Sequence, residues 1–361
     1  MTHNVEVFCW GDGSKGQLGA SSGLGPSPQK VDIGMLAAPD DTVHLAAGDN
    51  FTCLAANKAM TVTCWGANER GQTDQQGHAT SSPLALATRS ISAGVMGLTA
   101  GSDFACATLT DGSLVCWGAI PPTGTAVGQT PVDLTMDTAA AAAGGHHVCY
   151  LHGADQFVYC FGDNTYHQCA GPAPSYTFDS PHVASVLGSF GSVAFALGED
   201  HSCVAAGTAG GAAWTCWGQN LDGQCTGVPG AAFDAPPSPN APSGATAVVG
   251  AAGSAYTCVV DAQPAASPKL RCWGLDMDQE LGANGGPAAV VSPLSDNSAF
   301  PATSTVLGIT AGGEHGCMWS SSDIRCWGSN ADGECTGNTS PSTLDYRDAP
   351  PICFPPSIAH P

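Results

Sequence analysis

Cysteine is the residue of this sequence best placed to do chemistry. The chain of 361 residues holds 17 cysteines. Seven open a recurring tripeptide, Cys-Trp-Gly and once Cys-Phe-Gly, at Cys9, Cys64, Cys116, Cys160, Cys216, Cys272 and Cys326. Six more close a second motif of glycine, four residues and cysteine: Gly48/Cys53, Gly101/Cys106, Gly144/Cys149, Gly198/Cys203, Gly253/Cys258 and Gly312/Cys317. Each of these six precedes a tripeptide cysteine by 9 to 14 residues. If the two strands of such a pair form a hairpin, that separation sets the cysteines opposite each other. Directly opposed Cβ atoms lie about 4.5–5.5 Å apart, within reach of a disulfide after modest twisting. Reduced core thiols and metal ligation are the rival states. Zinc sites usually use Cys-x-x-Cys knuckles, and the sequence has none. The expected bridges are Cys53–Cys64, Cys106–Cys116, Cys149–Cys160, Cys203–Cys216, Cys258–Cys272 and Cys317–Cys326. A seventh, Cys9–Cys353, is expected if both termini complete one unit of a ring. Its fit is poorer, because Pro350-Pro351 stand where the glycine motif belongs. Cys169, Cys225 and Cys335 each lie nine residues after a tripeptide cysteine, where Leu18 and Leu281 stand in other copies. There cysteine reads as a small hydrophobe replacing a core leucine.

The other reactive side chains fit no catalytic constellation. His147, His201 and His315 recur two residues before the upstream cysteine, one per copy, which suits packing or a hydrogen bond better than a dyad. The acids and amides around Asn220–Gln224, Asp276–Glu280 and Asn330–Glu334 resemble fragments of calcium loops. They lack the spacing to a terminal bidentate Glu, so they read as glycine turns with local hydrogen bonds. Gly19-Ala20-Ser21-Ser22-Gly23 matches Gly-x-Ser-x-Gly but follows a turn rather than joining a strand to a helix. No nucleophile, base and orienter can be nominated together. No catalytic, cofactor or metal site is therefore expected. The tripeptide tryptophans read as packing, which leaves Trp214 and Trp319, outside the motif, as contact candidates.

What must position these residues is a repeated unit. The tripeptides recur at intervals of 55, 52, 44, 56, 56 and 54 residues, and two motifs in fixed order at one period define a tandem array. Within one copy, Val43–Ala47, Phe51–Ala55 and Thr61–Gly66 read as short strands, joined by turns at Gly48 and Asn57-Lys58. Asn68–Gln72 follows as a glycine turn, and a looser stretch leads to the next copy. With 47 glycines and 26 prolines, the chain is rich in turns and poor in helix. The expected fold is all-β: a single domain over residues 1–361 forming a seven-bladed β-propeller of about 53-residue repeats, its ring closed by both termini. An open solenoid would need capping repeats, which neither end resembles.

Trp10-Gly11-Asp12 through Gly16-Gln17-Leu18-Gly19, and Cys216-Trp217-Gly218-Gln219-Asn220-Leu221-Asp222-Gly223-Gln224, resemble the regulator of chromosome condensation repeat. So does Ala311-Gly312-Gly313-Glu314-His315-Gly316-Cys317, whose Ala-Gly and His match the upstream half of that repeat. The resemblance covers nearly the whole chain and implies the seven-bladed propeller. It implies less about function, since the family includes exchange factors, ubiquitin-ligase modules, a photoreceptor and secreted bacterial inhibitors. The third copy departs from the pattern at Gly118-Ala119-Ile120-Pro121-Pro122, without the Asn turn.

The net charge is −21 with nine lysines and arginines. Phosphate contacts need clustered cations, so nucleic acid is not an expected partner. No window approaches the length of a transmembrane helix. The amino terminus has no basic and apolar leader pattern, whereas so many paired cysteines favour an oxidising compartment. The expectation is a secreted or cell-envelope protein whose leader is not in this sequence. Function is expected to be recognition of a protein or peptide, preferably basic, by a monomeric scaffold, with enzyme inhibition as one version. The alternatives are an enzyme with its site at the channel mouth, or the nucleotide-exchange role of the founding family member. Turns vary most after each tripeptide, so Asp12, Lys15, Glu69, Arg70, Ile120, Tyr166, His167 and Met277 are the expected contact residues.

Overall fold

A computed structural model describes residues 6–19, 25–31, 42–58, 60–73, 87–119, 132–134, 137–170, 175–176, 182–184, 193–208, 211–230, 249–261, 269–281, 306–320, 323–336, 339 and 343–344. Among these the regular structure is entirely β, in seven sheets, one for each tripeptide. The first sheet pairs β1 (Val7–Gly11) with β2 (Gly25–Val31). The second holds β3 (Val43–Ala47), β4 (Phe51–Ala56), β5 (Thr61–Gly66) and β6 (Ala87–Ser90) in that order. The third holds β7 (Val95–Ala100), β8 (Phe104–Leu109), β9 (Leu114–Gly118) and β10 (Val132–Leu134). The fourth runs β11 (Thr138–Ala143), β12 (His147–His152), β13 (Val158–Asp163) and β14 (Ser175–Tyr176), and β15 (His182–Ala184) completes it. The fifth comprises β16 (Val193–Leu197), β17 (His201–Thr208) and β18 (Gly211–Gly218). The sixth comprises β19 (Val249–Ala252), β20 (Tyr256–Asp261) and β21 (Lys269–Gly274). The seventh comprises β22 (Val306–Ala311), β23 (His315–Ser320), β24 (Ile324–Ser329) and β25 (Thr343–Leu344).

Neighbouring strands are antiparallel, and the hairpins place the two motifs in register. Cys53 faces Cys64, Cys106 faces Cys116, and Cys149 faces Cys160. Cys203 faces Cys216, Cys258 faces Cys272, and Cys317 faces Cys326. All six pairs are disulfides in the structure, with S–S distances of 1.99 to 2.05 Å and Cα–Cα distances of 4.0 to 4.1 Å. The expected Cys9–Cys353 bridge is not formed, since Cys9 is a free, half-buried thiol. On β1, Cys9 stands opposite Gln29 of β2, the following strand. Cys353 and the expected meeting of the termini lie outside the described residues.

Chain contacts group the strands into two compact units. Unit 1 comprises Met1–Asp163 and Ser175–His182, and unit 2 comprises Asn164–Pro174 and Val183–Pro361. Inside each, the core lies between the faces of successive sheets. In unit 1, Phe51 and Val62 of the second sheet pack with Val95, Leu109 and Trp117 of the third. Phe104 and Leu114 pack in turn with Val148, Tyr150 and Phe161 of the fourth. In unit 2, Trp214 and Cys216 pack with Val259 and Trp273, and Leu270 and Cys272 pack with Met318 and Trp327. A β-strand exposes alternate residues on opposite faces. A central strand such as β8, buried at all six positions, therefore supplies both of the cores beside it. This is why the copies show continuous apolar runs rather than strict alternation.

Candidate functional site

Every described tripeptide ends in a glycine of positive φ, and the geometry of the following turn begins there. At Gly66, φ is 110° and an added Cβ would lie 2.5 Å from the Asn50 carbonyl. Only glycine tolerates both constraints. The next amide, Ala67, donates to that same carbonyl at 2.8 Å, so the turn after the third strand is tied to the turn between the first two. The equivalent ties are Ala119 to Asp103, Asp163 to His146, Gln219 to Asp200, Leu275 to Ala255 and Ser329 to Glu314, at 2.9, 2.9, 2.8, 2.9 and 2.8 Å. Both sets of turns thus share one rim of each sheet.

Two side-chain amides then close the turn from within. In the second copy Asn68 Oδ1 accepts the Thr73 amide at 3.0 Å, and Gln72 Oε1 accepts the Arg70 amide at 2.8 Å. Asn164 and Gln168 repeat this with Cys169 and Tyr166, as do Asn220 and Gln224 with Cys225 and Asp222. In the sixth copy both amides are replaced by acids. Asp276 accepts the Leu281 amide at 3.0 Å and Glu280 accepts the Asp278 amide at 2.8 Å. The calcium-loop resemblance is thereby accounted for as turn closure. Among the described residues no group of three or more His, Cys, Asp or Glu is arranged to hold a metal.

The carbonyl of the turn Gln or Glu is clasped by the next copy. The Trp65 indole N–H donates to Gln17 O at 2.8 Å and Trp117 to Gln72 O at 2.9 Å. In unit 2, Trp217 donates to Gln168 O, Trp273 to Gln224 O and Trp327 to Glu280 O, at 2.9, 2.9 and 2.7 Å. Burial of a large ring and satisfaction of its one donor explain the tryptophan at each site. Trp214, expected as a contact residue, is also core: it is 1% exposed and lies against Gly250. Its place on β18 points it between sheets, which the motif boundary did not reveal.

The glycine of the upstream motif is a second junction. A Cβ on Gly48 would run into the Phe51 ring and the Gly101 carbonyl, and one on Gly198 into the His201 ring and close on the Gly253 carbonyl. His201 therefore occupies a packing position held elsewhere by Phe51, Phe104 and Tyr256. Its Nε2 lies 2.8 Å from Thr257 Oγ1, and burial pushes its pKa down to about 3. His147 is equally buried. Cys169, Cys225 and Cys335 are fully buried at the turn position also held by Leu18 and Leu281. The Cys225 and Cys335 thiols donate to the Gln219 and Ser329 carbonyls at 3.2 and 3.1 Å. Burial raises both well above the usual thiol range, which removes the thiolate needed for reactivity.

The expected contact residues fall on the tips of these turns. In unit 1, Asp12 accepts from Ser14 and Gln17, while Lys15 pairs with Glu69 at 3.4 Å beside the exposed Arg70. In unit 2, Tyr166 and Met277 are 39% and 60% exposed, with His167 half-buried at a φ of 68°. Ile120 lies outside the described residues. Sequence reasoning missed Leu221 and Val228, 61% and 65% exposed on the turn after β18. It also missed the acids of the shorter turns, Asp49, Asp103, Glu199, Asp200 and Glu314. Their signal was position, one or two residues after Gly48, Gly101, Gly198 and Gly312 of the upstream motif.

Seven sheets, one for each tripeptide, with five of the turns clasped by the tryptophan of the next copy, are the blades of a seven-bladed β-propeller. Residues 6–55 match the pattern of the Regulator of chromosome condensation (RCC1) repeat. Among solved structures, human WBSCR16 is similar at a TM-score of 0.75 and 19% identity, covering 97% of this chain and 95% of that one. Prp20p from Saccharomyces cerevisiae, described with its binding to Gsp1p and histones, is similar at a TM-score of 0.74 and 20% identity, covering 98% and 88%. Yeast RCC1 (Prp20) bound to Kap60 gives a TM-score of 0.74 at 19% identity, covering 98% and 85%. At these identities the likeness is one of fold.

Proposed function

We propose that the chain is a single-domain recognition scaffold, secreted or held in the cell envelope, which binds a protein or peptide through the turns after its tripeptides. The observation that carries this reading is the contrast within each turn. Its base is fixed by buried amides and the tryptophan clasp, while its tip varies from Asp12 and Lys15 to Tyr166, Leu221 and Met277. A rigid base with variable exposed tips is how binding loops are usually presented. Two solved structures of similar fold are described with protein partners, which supports a binding role. Six disulfides suit an oxidising compartment. Inhibition of a partner enzyme is one form the binding takes, by a monomeric chain.

The test is capture of the partner from the native environment by the intact, oxidised protein, followed by cross-linking mass spectrometry. Cross-links should concentrate at residues 12–15, 67–70, 165–167, 219–222 and 275–278. Cross-links confined to the hairpin ends at 57–60 and 153–157 would overturn the reading. So would a turnover abolished by one substitution.

A further inference from the structure

We infer that the unit 2 turns form the contact surface proper, and that it fits a basic polypeptide segment carrying large apolar side chains. This deepens the scaffold reading and rests on it. Of the five exposed large hydrophobic side chains of unit 2 among the described residues, four lie on these turns: Tyr166, Leu221, Val228 and Met277. Exposures of 39 to 65% leave them without a core role. Single exposed apolar residues are ordinary, but their collection on successive turns of one rim marks an interaction surface.

The turns are joined to one another, so the side chains share a surface. Gln168 Nε2 reaches Asp200 Oδ1 at 3.3 Å, the Ser254 amide donates to the Gly313 carbonyl at 3.0 Å, and the tryptophan clasps link each long turn to the next sheet. Of Asp, Glu, Lys and Arg, only the carboxylates occur on these turns. Asp222, Asp278 and Asp332 sit on the long turns, and Glu199, Asp200 and Glu314 on the short ones. No lysine or arginine occurs in residues 164–170, 219–230, 275–281 or 330–336. The rim of unit 1 differs, since Lys15 and Arg70 stand among its acids and Lys15 is already paired with Glu69. Apolar anchors ringed by charge of one sign call for a partner of the opposite sign with apolar side chains of its own.

The experiment is selection of a random-peptide display library on the intact protein, followed by affinity measurement on variants. Selected peptides should be net positive and carry large apolar residues. They should lose about tenfold or more on Leu221→Ser/Met277→Ser, as for removal of interface anchors, and weaken between about 50 and 500 mM salt. Asp222→Lys/Asp278→Lys should lose them and gain acidic peptides, whereas Glu69→Gln should keep them. Leu221 and Met277 are exposed and Asp222 and Asp278 half-buried, and unaltered melting would show that each double variant is folded. Enrichment of acidic or uncharged peptides overturns the inference, as does equal affinity for wild type and both double variants. Peptides that compete only at the unit 1 turns overturn it while leaving the scaffold reading intact. Peptides held by neither set of turns count against both.

Discussion

Glu280 stands where Gln72, Gln168 and Gln224 stand in other turns, and it accepts the same backbone hydrogen bond. Burial, helped by the charges of Asp278 and Asp276, pushes its carboxyl up from 4.5 to about 7. A raised folded-state pKa means that folding takes up a proton, so stability falls as pH rises from about 4.5 to about 7 and stays reduced above. Glu280→Gln keeps the acceptor and removes the charge. It should raise the unfolding free energy at pH 8 by about 1–2 kcal/mol, read as a higher melting temperature, and change little at pH 4. An equal shift at both values would mean the charge is not the cause. His201 has the opposite linkage. Its pKa is lowered from 6.5 to about 3 by burial, so the unfolded chain binds a proton that the folded chain refuses. Stability should fall as pH drops from about 6.5 towards 3. His201→Phe, the residue found at positions 51 and 104, should lose the contact to Thr257 at neutral pH, costing about 1 kcal/mol. Its melting temperature should then fall less between pH 7 and pH 4 than that of the wild type.

At the scale of the element, the unit of cohesion is the clasp between one turn and the next sheet. Trp273→Phe removes the N–H that Gln224 O accepts, while that carbonyl keeps the Thr257 hydroxyl at 2.9 Å, and it also shrinks a fully buried ring. The loss should therefore be about 2 kcal/mol by urea unfolding, the hydrogen bond and the lost packing together. Trp273→Ala should cost about 3–5 kcal/mol because it also opens a cavity. Between the third and fourth copies the donor of the clasp is absent, since Phe161 has no N–H, and Ala119-Ile120-Pro121 lacks the Asn that closes the turn around the accepting carbonyl in other copies. Phe161→Trp should accordingly give no gain, and a clear stabilisation would show that another acceptor is present. Six hairpins carry a disulfide across directly opposed residues. Cys258→Ala/Cys272→Ala should cost about 2–3 kcal/mol, the entropy of a loop of this length.

For the whole molecule, thiol chemistry and charge make the tests. Alkylation of the native, unreduced protein should leave Cys169, Cys225 and Cys335 unmodified until denaturant is added, because all three are fully buried. Peptide mapping without reduction should recover the six hairpin pairs; finding them as free thiols in freshly purified protein would remove the argument for an oxidising compartment. With a net charge of −21, association with a basic partner should slow as salt rises through the screening range. An on-rate indifferent to salt would leave the acidity as a matter of solubility.

The period, the strand order within a copy, the paired cysteines and the packing role of the histidines were legible in the sequence. These depend on residues near one another in the chain: hairpin register follows from separation, and glycine marks the turns where no other residue fits. Cys169, Cys225 and Cys335 could be read as buried because a leucine takes their place in other copies. Trp214 could not, since whether a residue of β18 faces a core or a rim depends on which sheet lies against it. The clasp was hidden for the same reason, joining side chain and carbonyl 45 to 49 residues apart. Nor could the sequence show that Tyr166, Leu221 and Met277 share a rim with Glu199 and Glu314, because only tertiary hydrogen bonds bring long and short turns together. Local spacing determined the unit; the stacking of one unit on the next decided which side chains were left for a partner.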